Sequence, residues 1–398
     1  MHPNENELSR DTVLVRRPEL ALELGSSGTV VVRWDNQRVE TNEHALGLLD
    51  AWRVPRAIAG VVDELAIRGA LDFLTLTRTI LELWSAGALI EPEKTATLGE
   101  TVGWATSSIH TRMLGDLTRT RAFIRALEET IRPDDVVLDI GTGTGVLAIA
   151  AAKAGARKVY AIESSAIADV ASAMIVGNRV DDRVELVRGW STRAELPERA
   201  SVLVTETLGD EALGEGLVET MLDATRRLVL PDARIIPARV EVWAIPCSLS
   251  PALRNRHLFT RDNISLWSAE FGIDFGPLEG VGRRPFALTL SPDEVRGFRH
   301  LSPAVRVADF DLREMDPSFD RPATFTAEAA GLFEAALLYF DLQLSPNVRF
   351  RGSPLETDER HHWSYPVWIS DRPAMLAVGE SATLRYRYRA GVGRIAFH

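Results

Sequence analysis

The stretch VVLDIGTGTG, residues 136–145, decides the fold. Four apolar residues surround Asp139, a turn carries Gly141, Gly143 and Gly145, and a helix-forming segment runs on from Val146 to Lys153. A strand, a glycine turn and a helix in that order build a pocket for a nucleotide-bearing cofactor in an α/β fold. The glycine spacing selects among such cofactors. A dinucleotide fingerprint needs G-x-G-x-x-G, and the residue after Gly145 is Val146. The G-x-G-x-G form after an acid-ended strand suits S-adenosyl-L-methionine. That molecule has no pyrophosphate to seat on a helix N-terminus.

Downstream, the same alternation continues. Strand patterns at 158–163, 184–188 and 201–205 are interleaved with helical patterns at 167–178 and 216–229. Alternating strands and helices predict a parallel sheet covered on both faces, with ligands at the carboxyl ends of the strands. From about Val240 the helical period fades. Leu337 to Leu344 and Ala382 to Arg389 read as strands, the second with Leu384, Tyr386 and Tyr388 alternating with Arg385, Arg387 and Arg389. Period two marks half-buried antiparallel strands, so 241–398 is expected to form a β-barrel or sandwich.

Upstream, residues 1–95 read as a separate small unit. Thr29 to Trp34 reads as a strand after the turn signal at 25–28, and short helices are expected at 43–52 and 56–66, separated by Val54 and Pro55. Phe73, Leu76, Ile80, Leu83 and Trp84 share a helical face that Gly87 ends, and a short strand follows at 88–90. This order suggests an α+β winged-helix-like module. Modules of that kind bind DNA or leader peptides, and a plain docking or dimerisation unit is the other reading. Arg78 is the main cation of the third helix, which weakens the DNA reading.

Composition sets outer bounds. A chain of 398 residues exceeds one ordinary core. A formal net charge of −11 argues against nucleic acid as the main partner and fits a cationic acceptor, although acidic chains are also common for solubility alone. The single cysteine, Cys247, gives no disulfide framework and no thiolate metal site, and no metal is expected. Met1 to Arg17 lacks a signal-peptide core, no apolar run is long enough for a bilayer, and the expected location is cytoplasmic.

Glu163 ends the second strand beyond the glycine turn, where a carboxylate can accept both hydroxyls of a ribose. The fourth strand runs into Glu206-Thr-Leu-Gly-Asp-Glu-Ala-Leu-Gly-Glu215. Gly209 and Gly214 allow that loop to fold back and aim Glu206 and Glu215 at one point. Two converging carboxylates repel unless a cation lies between them, and a planar guanidinium bonds two carboxylates in fork geometry. Asp210 and Glu211 lie in the same loop and compete for the role.

These residues together resemble the protein arginine methyltransferase family. Residues 136–163, VVLDIGTGTGVLAIAAAKAGARKVYAIE, are similar to that family's cofactor motif, and Glu206 and Glu215 stand at the spacing of its paired glutamates. The segment IHTRMLGDLTRT, residues 109–120, resembles the family's I-H-x-x-M-L-x-D-x-x-R-T, and His361-His362-Trp363 resembles its T-H-W loop. The resemblance, over about residues 100–398, implies a Rossmann-like methyltransferase domain at 96–240 and an antiparallel β-barrel domain at 241–398. It implies S-adenosyl-L-methionine held by His110, Met113, Arg119, Asp139, Gly141, Gly143, Glu163 and the Thr192 region. Arg119 is expected on the cofactor's carboxylate. Glu206 and Glu215 would orient the guanidinium, Trp363 would wall the acceptor pocket, and His362 with Asp116 would help remove the proton. The segment 253–280 resembles the region of the family's dimerisation arm and implies a homodimer.

Three departures are visible. The family's tyrosine pair has no counterpart in Glu100–Trp104. Thr192 stands where a glutamate usually meets the adenine amine, so backbone near Ser191 is expected to share that task. His361 replaces the threonine of T-H-W. The implied reaction is transfer of a methyl group to a guanidino nitrogen of arginine, in a protein, a peptide or the free amino acid. The alternatives are a cofactor-binding regulator or peptide-recognition protein without methyl transfer, and a methyltransferase for another small nucleophile.

Overall fold

The computed structural model describes residues 8–17, 20–24, 29–34, 37–53, 55–67, 73–91, 107–280, 285–389 and 392–398. The chain divides into two compact units, Met1–Thr106 and Ser107–His398. The expected stretch Glu100–Trp104 lies outside the described residues, as do the turn at 25–28 and Val54.

The first unit is α+β. Strands β1 (Val13–Arg16), β2 (Ala21–Leu24), β3 (Thr29–Trp34) and β4 (Gln37–Asn42) precede the helix Ala45–Ala51. Strand β5 (Arg56–Ala57), helices Ile58–Ile67 and Phe73–Ser85, and β6 (Leu89–Ile90) follow. The strands form two antiparallel sheets, β5-β1-β6 and β2-β3-β4. Leu14, Val32, Leu48, Trp52, Leu76 and Leu83 are fully buried in one core. Strand β1 escapes a reading of the polar N-terminus because only Leu14 and Val15 of its four residues are buried. Gly87 does end the third helix, with φ of +82°.

The second unit begins with helices Ser107–Gly115 and Leu117–Thr130. Five strands, β7 (Val136–Ile140), β8 (Lys158–Glu163), β9 (Val184–Arg188), β10 (Ala200–Thr205) and β11 (Val229–Ile236), form an all-parallel sheet in the order β11-β10-β7-β8-β9. Helices Val146–Lys153, Ala168–Gly177 and Leu217–Arg227 connect them. Strand β7 is buried at every position, as a strand covered on both faces must be. The order reverses between β7 and β10, so a crevice opens beyond their carboxyl ends. Strand β11 is the one member with no apolar signature, since Pro231, Asp232 and Arg234 interrupt it.

After Ile236 the chain turns antiparallel. Strand β12 (Arg239–Ser248) leads into helices Pro251–His257 and Arg261–Phe271. Strands β13 (Phe286–Leu290), β14 (Arg299–His300), β15 (Val305–Asp311), β16 (Ser318–Thr326), β17 (Gly331–Gln343), β18 (Arg349–Arg351), β19 (Tyr365–Leu376), β20 (Ser381–Arg389) and β21 (Val392–Phe397) follow. They make a barrel-like array of two sheets, one built on β13-β19-β17-β12-β14 and one of β16-β20-β21. In β20, Leu384, Tyr386 and Tyr388 are buried and Arg387 and Arg389 exposed, as the alternation predicts. The antiparallel strands share one hydrophobic core with the parallel sheet, from Phe123 and Leu138 to Phe340 and Tyr386. Cys247 is buried in a second cluster, where burial pushes its thiol far up. Among the described residues no helix is long and apolar enough to cross a membrane.

Candidate active site

The crevice beyond β7 and β10 collects most of the expected site. Ile140 pairs with Thr205 across the two strands, so the glycine turn and the Glu206 loop leave the sheet side by side. Gly141, Gly143 and Gly145 have φ of +73°, +56° and +84°. A Cβ on Gly141 would lie 2.5 Å from the Thr207 methyl, and one on Gly143 would lie 3.3 Å from the His110 ring. The turn therefore presents bare backbone to the crevice while touching both flanking segments.

The carboxylates hold this turn. Thr142 donates to Asp139 at 2.5 Å, and Glu163 accepts from the Gly143 N–H at 2.9 Å and the Ser165 N–H at 2.8 Å. Asp139 is wholly buried. That burial pushes its pKa up to about 7, against the Thr142 hydrogen bond and with help from the charges of Glu163 and Glu206. His110, Met113, Arg119, Gly141, Gly143 and Glu206 line one cavity. Thr142, Phe123 and Leu147 also line it. Thr142 and Leu147 belong to the quoted 136–163 stretch, whereas Phe123 lies outside the motif segments and is found only through the fold. Thr192 is exposed and does not line that cavity, whereas its neighbour Ser191 is buried.

Arg119 forms a buried ion pair with Glu206, and both side chains are 6% exposed. Arg119 Nη2 also donates to the Met113 carbonyl at 2.7 Å. Arg119 Nε and Glu206 Oε1 have no hydrogen-bond partner although both are buried. A half-satisfied pair of this kind is costly unless a ligand completes it. A bare glycine turn, a ribose-competent carboxylate and an arginine with an open N–H fit a nucleoside that carries an amino-acid group.

Glu215 sits beyond the loop with φ of +59°, a conformation that costs a non-glycine residue of order 1–3 kcal/mol. Gly209 and Gly214 pass within 3.3–3.4 Å of each other, measured from a built Cβ to Cα, which closes the loop. Glu215 is an exposed residue. Even so, the packed walls push its pKa up to about 8, with the charges of Glu206 and Asp210 adding to the effect. Asp210 accepts from the Ser364 N–H at 2.8 Å, so it ties the loop to the barrel.

The barrel supplies the opposite wall. Trp363 is 5% exposed and donates from its indole N–H to the Leu208 carbonyl at 2.8 Å. Arg119 lies 5.9 Å from the Trp363 ring centroid. Asp116 caps the helix Leu117–Thr130 by accepting from the Arg119 N–H at 3.0 Å. Its other oxygen lies 3.2 Å from His362 Nδ1 and 3.5 Å from His361 Nδ1. Burial would raise the Asp116 pKa, but the two imidazoles and the Arg119 N–H outweigh it and hold the carboxyl well below the usual range.

Residues 115–236 match the family described as ribosomal protein L11 methyltransferase (PrmA), and residues 252–390 match the arginine methyltransferase oligomerization subdomain. The chain is 30% identical over 286 residues to an arginine N(omega)-methyltransferase of Streptomyces achromogenes subsp. streptozoticus, covering 69% of this chain and 74% of that relative. It is 28% identical over 282 residues to protein arginine N-methyltransferase 1 of Schizosaccharomyces pombe, covering 68% and 79%. A solved Trypanosoma brucei PRMT1 enzyme-prozyme heterotetrameric complex with AdoHcy superposes with a TM-score of 0.62 at 25% identity, over 71% of this chain and 88% of that one. Identity of 30% over 286 residues, the match to the oligomerization subdomain and the superposition at a TM-score of 0.62 place the chain in the protein arginine methyltransferase family.

Proposed function

We propose that this chain transfers a methyl group from S-adenosyl-L-methionine to a guanidino nitrogen of arginine, with Glu206 and Glu215 as the groups that hold the acceptor. The observation that carries the reading is the buried, half-satisfied Arg119–Glu206 pair at the switch point of the sheet. When bound, the cofactor supplies an electrophilic sulfonium methyl. His110, Met113, Asp139, Gly141, Gly143 and Glu163 supply the walls and polar contacts for it, and Arg119 Nε is positioned for its carboxylate. Thr192 has no assigned contact in this reading, and the backbone at Ser191 takes its place.

Arginine is protonated at every ordinary pH, and its delocalised guanidinium is a poor nucleophile. Glu206 Oε1 and the Glu215 carboxylate each accept N–H bonds from it and draw positive charge toward the nitrogens they bind. One remaining nitrogen gains lone-pair character and is held in orientation, and both effects lower the barrier. Trp363 excludes water from one wall. His362, whose pKa burial lowers despite the Asp116 contact, is the base assigned to take the proton.

Glu215→Gln is expected to bind cofactor with little change and to lose about 10²–10³ in turnover, the usual scale for one electrostatic group. Wild-type turnover in that variant would end the role assigned to Glu215. The acceptor is an arginine in a protein or peptide, as the name of the yeast relative supports, or free L-arginine, as the name of the Streptomyces relative supports. Mass spectrometry of reactions with free arginine and with arginine peptides separates the two. No methylated product from either substrate would return the chain to a regulatory reading.

We also infer a homodimer built through the arm at 253–280. Phe259, Leu266, Phe271 and Ile273 of that segment are all more than half exposed, an apolar surface that a partner would cover. The match to an oligomerization subdomain over 252–390 supports this reading.

A further inference from the structure

The unusual histidine of the His361-His362-Trp363 segment has a placement that packing alone does not require. Its ring stacks on Phe350 at 5.9 Å and on Tyr365 at 5.7 Å, with interplanar angles of 15° and 25°. A threonine stands at this position in the family pattern that the segment resembles. Here the imidazole is nearly closed off from solvent, and Nδ1 lies 3.5 Å from the same Asp116 oxygen that meets His362 Nδ1 at 3.2 Å. One ionised carboxylate thus faces two imidazoles. With Nδ1 of each ring directed at Asp116, Nε2 of each is the free basic nitrogen.

Both histidines also line a second cavity, of about 410 Å³, together with Arg112, Gly115, Glu359 and Arg360. Arg112 donates to the His362 carbonyl at 2.8 Å and joins the cavity to the cluster. The charged groups around the two rings are Asp116, Arg119, Arg112, Glu206, Asp210, Glu359 and Arg360. Methylation replaces an N–H bond of a guanidinium with an N–C bond. The arginine nitrogen supplies the electron pair of the new bond, and a bound sulfonium would depart as a neutral thioether with the pair of its broken S–C bond. The product is again a monocation, so one proton must leave in every turnover.

We propose that His361 is a positioning residue for proton release: it shares the Asp116 carboxylate with His362 and so governs how firmly His362 holds the proton it takes at the edge of the 410 Å³ cavity. The proton is taken at His362 Nε2 and leaves from that nitrogen to water in the cavity that both rings line. With His361 removed, the undivided charge of Asp116 stabilises the His362 imidazolium, which then releases its proton more slowly. This inference rests on the arginine methyltransferase reading above.

The test uses the full chain and its variants His361→Gln and His361→Thr, with an arginine peptide as acceptor. Gln keeps an N–H that can face Asp116, whereas Thr removes the ring N–H and restores the residue of the family pattern. We expect kcat to fall roughly tenfold in His361→Thr, below the full scale of general acid–base catalysis because His362 remains, and to stay near wild type in His361→Gln. The acceptor KM should move less than twofold. In His361→Thr the acidic limb of kcat should shift upward by about half to one pH unit, and the solvent isotope effect in single turnovers should grow. Wild-type kcat and an unmoved acidic limb in His361→Thr would overturn the inference. So would a loss of kcat that merely tracks a lower melting temperature at every pH. A wild-type chain that methylates no arginine substrate would instead sink the underlying reading, and this inference with it.

Discussion

Glu215 is the residue whose ionisation governs the proposed chemistry. The acceptor is a cation throughout the working range, so Glu215 must be ionised to hold it. In the free chain its pKa lies at about 8, raised by its packed surroundings and by the charges of Glu206 and Asp210. Acceptor kcat/KM is therefore expected to climb with pH up to about 8, by as much as tenfold per unit, and then level off. The limb should be absent in Glu215→Gln, and a flat profile in the wild type would refute this assignment. The same shift acts on stability. A carboxyl whose folded pKa is raised above its ordinary value of 4.5 favours folding below that value, and the benefit is lost as pH rises to about 8. Wild type and Glu215→Gln should thus diverge in melting temperature between pH 5 and pH 9, with the Gln variant gaining toward alkaline pH. The acid itself was legible from its spacing to Glu206. Its titration was not, because desolvation depends on which walls close around it.

At the scale of single elements, the glycine turn and the arm make separate demands. Gly141 combines φ of +73° with a Cβ position 2.5 Å from the Thr207 methyl. Gly141→Ala is expected to cost about 1–3 kcal/mol and to weaken cofactor binding, because it strains the turn and pushes the Glu206 loop. Adding Thr207→Ser removes the methyl and should recover part of the loss, which denaturant titration and cofactor calorimetry would reveal. The helix leading into the arm is tied down differently. Glu334 on β17 is 1% exposed, accepts from the Leu249 N–H at 3.1 Å, and meets Arg254 Nε at 3.2 Å through both oxygens. Arg254→Met leaves that carboxylate buried and uncompensated. With Arg254 partly solvated, a loss of about 2 kcal/mol is expected, smaller than for a fully buried pair. The double variant Arg254→Met/Glu334→Met should regain most of it, and a double variant no more stable than the single one would contradict the account. Neither Arg254 nor Glu334 stood out in the chain, since the two are far apart in sequence and each sits in unremarkable company.

For the whole molecule, the parallel and antiparallel parts of Ser107–His398 share one core, while Met1–Thr106 has a core of its own. The proposed dimer would add a further layer of apolar burial at the arm. Leu266→Glu combined with Phe271→Glu is expected to turn dimers into monomers by light scattering, without unfolding the chain, because both side chains are exposed in the protomer. A wild type that is monomeric at tens of micromolar would remove the dimer.

What the chain declares by itself is local. The period of apolar residues from Val136 to Arg227 and the positive-φ demands of Gly141 to Gly145 dictate strands, turn and helix, because both act over a few residues. The pairing of β7 with β10, by contrast, brings the glycine turn beside Glu206. The meeting of Asp116 with His361 and His362, more than two hundred residues away, joins the first helices to the barrel. So does the tie from Asp210 to Ser364. Those contacts arise only when the sheet order and the shared core are in place. They decide which carboxylate stays ionised, which is raised, and where a proton can go.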